Sequence, residues 1–224
     1  MSVWQAVFFD FDGVILDSVD VKTQAFAQMF RKHGPEVERA VVEYHLTNGG
    51  ISRFEKFRHY YEVLLGQPIS EVELVSLGEE FSRIVFEQVL CAPYIAGALE
   101  TLEKLLKEST PAYVVSGTPE EELGAIVERR GLTRFFLGVY GSPKTKMQIL
   151  AEIMHKKRYT SERCLFLGDA MTDYEAAHVT AVRFLGIVRP GGLTPFPPGT
   201  PISFKVTDAQ PVAANGHPPR VGFP

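Results

Sequence analysis

Cysteine is nearly missing from this chain: Cys91 and Cys164 are the two present. A pair so far apart cannot staple a fold of this size. Neither has a metal-ligating neighbour at short spacing, so a disulfide framework and a zinc cluster are both excluded. Cys164 opens the apolar run Cys164-Leu165-Phe166-Leu167 and reads as a small buried residue. No apolar run approaches the ~18 residues that span a bilayer. The N-terminus also lacks a basic stretch followed by an apolar segment and a small-residue cleavage site. A cytoplasmic protein is therefore expected, with no membrane partner. Positive charge is not in excess either. The formal net charge of −4 gives no general pull toward nucleic acid or an anionic surface, so any anion has to be handled in a local pocket. Finally, 19 Gly and 15 Pro would break the long helices of a coiled coil.

What is there is an ordinary globular balance. The 224 residues are 45% hydrophobic and 22% charged, enough to bury a real core in one domain or in a core with a modest insertion. Short apolar, β-branched or aromatic runs occur at Val3–Phe9, Ala112–Val115, Leu137–Tyr140, Cys164–Leu167 and Arg183–Val188. Helical periodicity fills the spaces between the later four, at Glu120–Arg130, Lys144–Lys156 and Thr172–Val179. Strand–helix–strand alternation predicts an α/β fold: a doubly wound parallel sheet with helices on both faces.

The first strand is followed by something different. Between about residues 17 and 91 no strand pattern appears, and helices are expected at Val19–Lys32, Val37–Leu46, Arg53–Leu65 and Glu71–Leu90. Glycine- and proline-containing breaks separate them. This reads as an inserted helical cap over 17–92, with the core formed by 1–16 and 93–203 and with helix Gly97–Glu108 leading back into it. Nine of the 15 prolines fall between Pro190 and Pro224. That density predicts an irregular, poorly packed end, with 204–224 as a tail.

Chemistry gathers where the strands stop, as it does in parallel α/β sheets. The first strand runs into Asp10-Phe11-Asp12-Gly13-Val14, two carboxylates that repel unless a cation or a shared proton relieves them. The strand Cys164–Leu167 runs into Gly168-Asp169, with Asp173 in the next helical turn, where the helix dipole alone would also favour an acid. Two acidic strand ends that converge would suit Mg²⁺, a hard cation that takes oxygen ligands. Ser116-Gly117-Thr118 offers hydroxyls and backbone N–H groups for a phosphate, and is equally a good helix start.

These segments, in this order across about residues 1–190, resemble the four motifs of the haloacid dehalogenase superfamily of aspartate-nucleophile hydrolases. Asp10-Phe11-Asp12-Gly13-Val14 is similar to its first motif and Ser116-Gly117-Thr118 to its second. The Lys144/Lys146 region is similar to the third, and Gly168-Asp169 with Asp173 to the fourth. The resemblance implies a Rossmann-like core with an α-helical cap, and a phosphatase of a small phosphorylated metabolite. It implies that Asp10 attacks phosphorus and that Asp12 is acid and then base. Ser116 and the Gly117 N–H would bind phosphoryl oxygens. Mg²⁺ would lie between Asp10, the backbone carbonyl of Asp12, and Asp169. Asp173 would orient the metal's waters or the lysine. Lys146 is the favoured lysine, with Lys144 the alternative.

Asp12 argues against a dehalogenase, because a halide leaves without needing a proton. Sugar-phosphate mutases of similar cap type remain an alternative, as does a non-catalytic phosphate binder. The place of the mutase histidine holds Lys22, which lacks histidine's proton switching near neutral pH. In the cap, Gly50-Ile51-Ser52-Arg53 resembles a segment of sugar-phosphate-processing relatives whose arginine faces the active site. Arg53 is thus expected to bind a second anionic group of the substrate. Lys56, one turn on, is expected on a solvated basic face.

Overall fold

The computed structural model describes residues 4–208. Six parallel strands form one sheet: β1 (Ala6–Phe9), β2 (Ala112–Pro119), β3 (Gly138–Ser142), β4 (Cys164–Gly168), β5 (Arg183–Ile187) and β6 (Ile202–Ser203). Their order across the sheet is β3-β2-β1-β4-β5-β6. The first strand is therefore central, with β2 on one side and β4 on the other. The chain reverses its direction of travel at that strand, and the crevice beyond its carboxyl end is where such sheets bind ligands.

Both faces of the sheet are covered, which explains why the strands are continuous apolar runs rather than alternating ones. Val7, Phe9, Val114, Leu165 and Leu167 pack on one side with α5 (Ala98–Lys107) and α6 (Glu120–Arg129). Ala6, Phe8, Tyr113, Val115 and Phe166 pack on the other with α7 (Lys146–Lys157) and α8 (Met171–Val179). The two-residue period of a strand sorts them.

Four further helices follow β1: α1 (Val19–Phe30), α2 (Pro35–Thr47), α3 (Arg53–His59) and α4 (Glu71–Cys91). Their ends are set locally. Pro35 opens α2 after Gly34, whose φ is 97°, and a reciprocal Ser70–Glu73 capping box starts α4. The Ser52 hydroxyl accepts from the Phe54 N–H and begins α3. That helix passes directly into a π-helical turn over Tyr60–Leu64. An aromatic nucleus of Phe26, Phe30, Phe57, Tyr60 and Phe81 holds the four together, with the Phe26 and Phe81 rings 4.3 Å apart.

The expectation of a poorly packed stretch from Pro190 is corrected over the residues that the structure describes. β6 pairs with β5, and Phe196 is buried against Phe184, ring centroids 5.1 Å apart. Val206 is buried too, donating its N–H to Ala96 at 2.8 Å and accepting from the Thr101 hydroxyl at 3.1 Å. Isolated apolar residues dock here one at a time, so no periodicity marks them. The rest of the expected tail, 209–224, lies outside the described residues. Among those described, no helix is long and apolar enough to cross a membrane. Cys164 is buried and Cys91 exposed, both as free thiols.

Candidate active site

Asp10 follows β1 directly, its N–H bonded to the carbonyl of Leu167 on β4. One carboxylate oxygen accepts from the Phe11 N–H at 2.7 Å. The other lies 2.8 Å from the ammonium of Lys146, which also reaches Asp173 at 2.6 Å. Lys144, by contrast, pairs with Glu152 on the surface. Two glycines permit this crowding. Gly13, at φ 79°, sits where a Cβ would overlap the Asp169 carboxylate, and a Cβ on Gly168 would overlap the Asp173 side chain.

Carboxylate oxygens of Asp10, Asp169 and Asp173 all lie within 4.8 Å of one another. Burial pushes the Asp169 carboxyl well above the ordinary range, and the charges of Asp10 and Asp173 add to it. Burial likewise pushes Asp173 up to about 7, against the pull of Lys146 and of the Ala170 N–H. Lys146 is desolvated as well, yet Asp10 and Asp173 hold its ammonium above the usual lysine value. An oxygen-only donor set under mutual repulsion fits a hard divalent cation. Asp173, expected only to orient neighbours, is part of this acidic group.

Asp12 has a separate set of partners. Its carboxylate accepts from the Ser18 hydroxyl at 2.6 Å and the Thr118 hydroxyl at 3.0 Å. It also accepts from the ammonium of Lys22, which bonds Thr118 at 2.8 Å. Burial alone would raise the Asp12 carboxyl; the charge of Lys22 and the three hydrogen bonds outweigh it and hold it below the ordinary value. In the sequence Lys22 stands only in the place of the mutase histidine. Its contact with Asp12 was not anticipated, because nothing in the sequence pairs a first-helix lysine with that carboxylate. Ser116 is buried, its hydroxyl accepting the Thr118 N–H at 3.2 Å.

The loop between α2 and α3 lies across these strand ends. The Gly49 carbonyl accepts from the Thr172 hydroxyl at 3.0 Å, and the Gly50 carbonyl packs so closely on Gly117 that a Cβ there would strike it. A cavity of about 140 Å³ remains beneath, reached by Asp10, Asp12, Ser116, Lys22, Arg53 and Lys56. Arg53 faces it as expected, but its guanidinium is already engaged. It donates to both Glu122 oxygens, at 2.9 and 2.6 Å, and to Ser82 at 2.7 Å. The solvated reading of Lys56 is corrected: the residue is 3% exposed. Its ammonium lies 2.7 Å from Nδ1 of His45. The face of α3 that carries Arg53, Lys56 and Phe57 is buried, as is Tyr60 at the start of the π-helical turn that follows. Burial lowers Lys56 to about 7, helped by Lys22 and Lys146 and opposed by Asp12 and Asp169. Burial lowers His45 to about 3.

Comparison with known proteins places this geometry. The family model described as haloacid dehalogenase-like hydrolase matches residues 7–187, from the first strand through the fifth. The chain belongs to the haloacid dehalogenase-like hydrolase family. Within that family it is similar to a phosphoglycolate phosphatase of Pseudomonas fluorescens, 27% identical over 188 residues that cover 81% of this chain and 68% of that protein. A phosphoglycolate phosphatase of Vibrio parahaemolyticus is 26% identical, with 76% and 78% covered. Two solved structures share the fold of this family member at low identity. One is a predicted phosphoglycolate phosphatase from Haemophilus somnus (TM-score 0.65, 19% identical, 84% and 87% covered). The other is a β-phosphoglucomutase from Clostridium difficile (TM-score 0.69, 18% identical, 84% and 86% covered). The chain is thus an enzyme of a hydrolase family with the doubly wound parallel core that the strand pattern predicts.

Proposed function

We propose that this haloacid dehalogenase-like hydrolase is a Mg²⁺-dependent phosphatase that acts on a small phosphomonoester through an aspartyl-phosphate. The observation that carries the reading is the division of labour between two carboxylates on one turn. Asp10 is fixed by Lys146 at the centre of the acidic group, while Asp12 stands apart in its own clamp of Lys22, Ser18 and Thr118. An oxygen of Asp10 forms a bond to phosphorus as the bond to the leaving alkoxide breaks, splitting one hard displacement into two easier ones. Asp12 gives that alkoxide a proton and later takes one from the water that hydrolyses the aspartyl-phosphate. Its lowered pKa leaves the carboxylate unprotonated and open to a proton in the second step. For the first, the negative charge of the arriving phosphate raises the affinity of Asp12 for a proton. The hydroxyl of Ser116 and the N–H of Gly117 bind phosphoryl oxygens, and Asp173 orients Lys146.

Mg²⁺ held by Asp10, Asp169 and the backbone carbonyl of Asp12 would offset charge where an anionic phosphate meets an anionic nucleophile. The curated relatives named above make 2-phosphoglycolate the first substrate to try, in a cytoplasmic setting and without nucleic-acid or membrane partners. Transfer to water is preferred to return of the phosphoryl group to a sugar, because Lys22 pins Asp12 by charge rather than passing a proton. The test is phosphate release from p-nitrophenyl phosphate and from 2-phosphoglycolate, with Mg²⁺ and with excess chelator. Asp10→Asn is expected to lose at least about a thousandfold in kcat with an unchanged circular dichroism spectrum. Activity within tenfold of wild type refutes the nucleophile assignment. Full activity in chelator refutes the metal, and no hydrolysis at all leaves a phosphate binder.

A further inference from the structure

The cations around the cavity are not equally free. Lys22 is paired with Asp12, and Lys146 with Asp10 and Asp173. Arg53 spends both ends of its fork on Glu122, so its charge is neutralised within the protein. Lys56 is different. Its polar partners are Nδ1 of His45 at 2.7 Å and the His45 carbonyl at 3.4 Å, neither of them an anion. The Phe26 ring lies 5.7 Å away. Burying an ammonium without a carboxylate costs several kcal/mol, so Lys56 holds its proton only to about pH 7 and an arriving anion would secure it; both Lys56 and His45 line the same cavity as Asp10 and Ser116.

We propose that Lys56, supported by His45, is the cap's receptor for a carboxylate that the substrate carries besides its phosphate, and that Arg53 is not. The inference rests on the phosphatase reading. With the phosphate at Asp10 and Ser116, the rest of a small substrate extends into the cavity toward the cap, where Lys56 is the ammonium facing the cavity without a carboxylate among the described residues. One ammonium beside a neutral imidazole matches one negative charge. A carboxylate is therefore the fit rather than a second phosphate. Arg53 instead joins the cap directly to Glu122 of α6, with Ser82 of α4 bonded to both.

Steady-state kinetics with 2-phosphoglycolate and with ethyl phosphate, which lacks the carboxylate, tests this. In the unaltered enzyme kcat/KM for 2-phosphoglycolate is expected to exceed that for ethyl phosphate by at least about tenfold. A ratio near one overturns the proposal without needing any variant. Lys56→Met is expected to reduce that ratio at least about tenfold, through KM, and Lys56→Arg to restore part of it. A ratio that falls with Arg53→Met and not with Lys56→Met returns the role to Arg53. Preference for ethylene glycol bisphosphate over 2-phosphoglycolate overturns the carboxylate. Hydrolysis of ethyl phosphate with a ratio unmoved by Lys56→Met refutes the Lys56 assignment and leaves the phosphatase reading standing; absence of all hydrolysis refutes that reading itself.

Discussion

Severing the Arg53–Glu122 pair should cost far more than a surface ion pair would. The two side chains are 4% and 9% exposed. Both carboxylate oxygens are taken by the guanidinium, and Ser82 bonds to both partners. Exposed pairs contribute well under about 1 kcal/mol, but removal of one member of a buried pair strands the other charge, at about 3–5 kcal/mol. Arg53 also reaches the cavity, so water can solvate it in part, and the lower end applies. Glu122→Gln is therefore expected to lose about 3 kcal/mol, and Arg53→Met a similar amount. For a chain of this length that is a fall of roughly 6–12 °C in Tm. The double variant Arg53→Met/Glu122→Gln strands no charge and should lie above either single variant, with a coupling energy of at least about 2 kcal/mol. Urea unfolding of the four proteins reads this directly, with m-values compared to verify that the same surface unfolds. Single losses that add within about 0.5 kcal/mol would show that the pair is not coupled, and the tie between cap and core would have to be abandoned.

Lys56 gives stability a pH dependence whose sign is fixed. Its folded value of about 7 lies below the ordinary 10.5, so between those values the unfolded chain holds a proton that the folded one does not, and stability rises with pH. From pH 6.5 to 9.5 that contribution is on the order of 3 kcal/mol, and Lys56→Met should abolish it. A wild-type-minus-variant difference that stays flat across the range refutes it. Gly50→Ala adds a Cβ at φ 78°, against the Thr172 hydroxyl and 2.9 Å from the Lys146 ammonium. It should lower kcat/KM at least about tenfold for a stability cost of about 1 kcal/mol. Gly66→Ala is equally strained at φ 62° but meets nothing within 4 Å; it should share the stability loss and keep the activity. Equal activity in the two variants would remove Gly50 from the site.

Five of the six strands were legible as short apolar runs closed by a turn, and the acids stand where those strands stop; β6 is two residues, Ile202–Ser203, with no such run. Asp10, Asp12, Asp169 and Asp173 could be found that way because position along one strand is a local property. Lys146 and Lys144 differ by two residues, and the choice needed the phase of α7, set by the Thr145–Gln148 capping box. Contacts between distant segments left no local trace. Lys22 meets Thr118 across 96 residues and Arg53 meets Glu122 across 69, and Glu122 reads as one more acid in the first turn of α6. Lys56 was misread for a related reason. A seven-residue helix that runs into a π-helical turn presents too few turns for its apolar stripe to say which face is covered.

The indole N–H of Trp4, just ahead of β1, donates to the carbonyl of Asp208 at 2.7 Å. The first and last described residues are thus neighbours, at the amino end of the central strand and a full strand length from Asp10. Lys104 clasps the Asp208 carboxylate as well, so this corner is fastened to α5. Trimmed to residues 4–208, the chain could be closed on itself by a short linker from Asp208 to Trp4, the arrangement that makes a domain amenable to circular permutation.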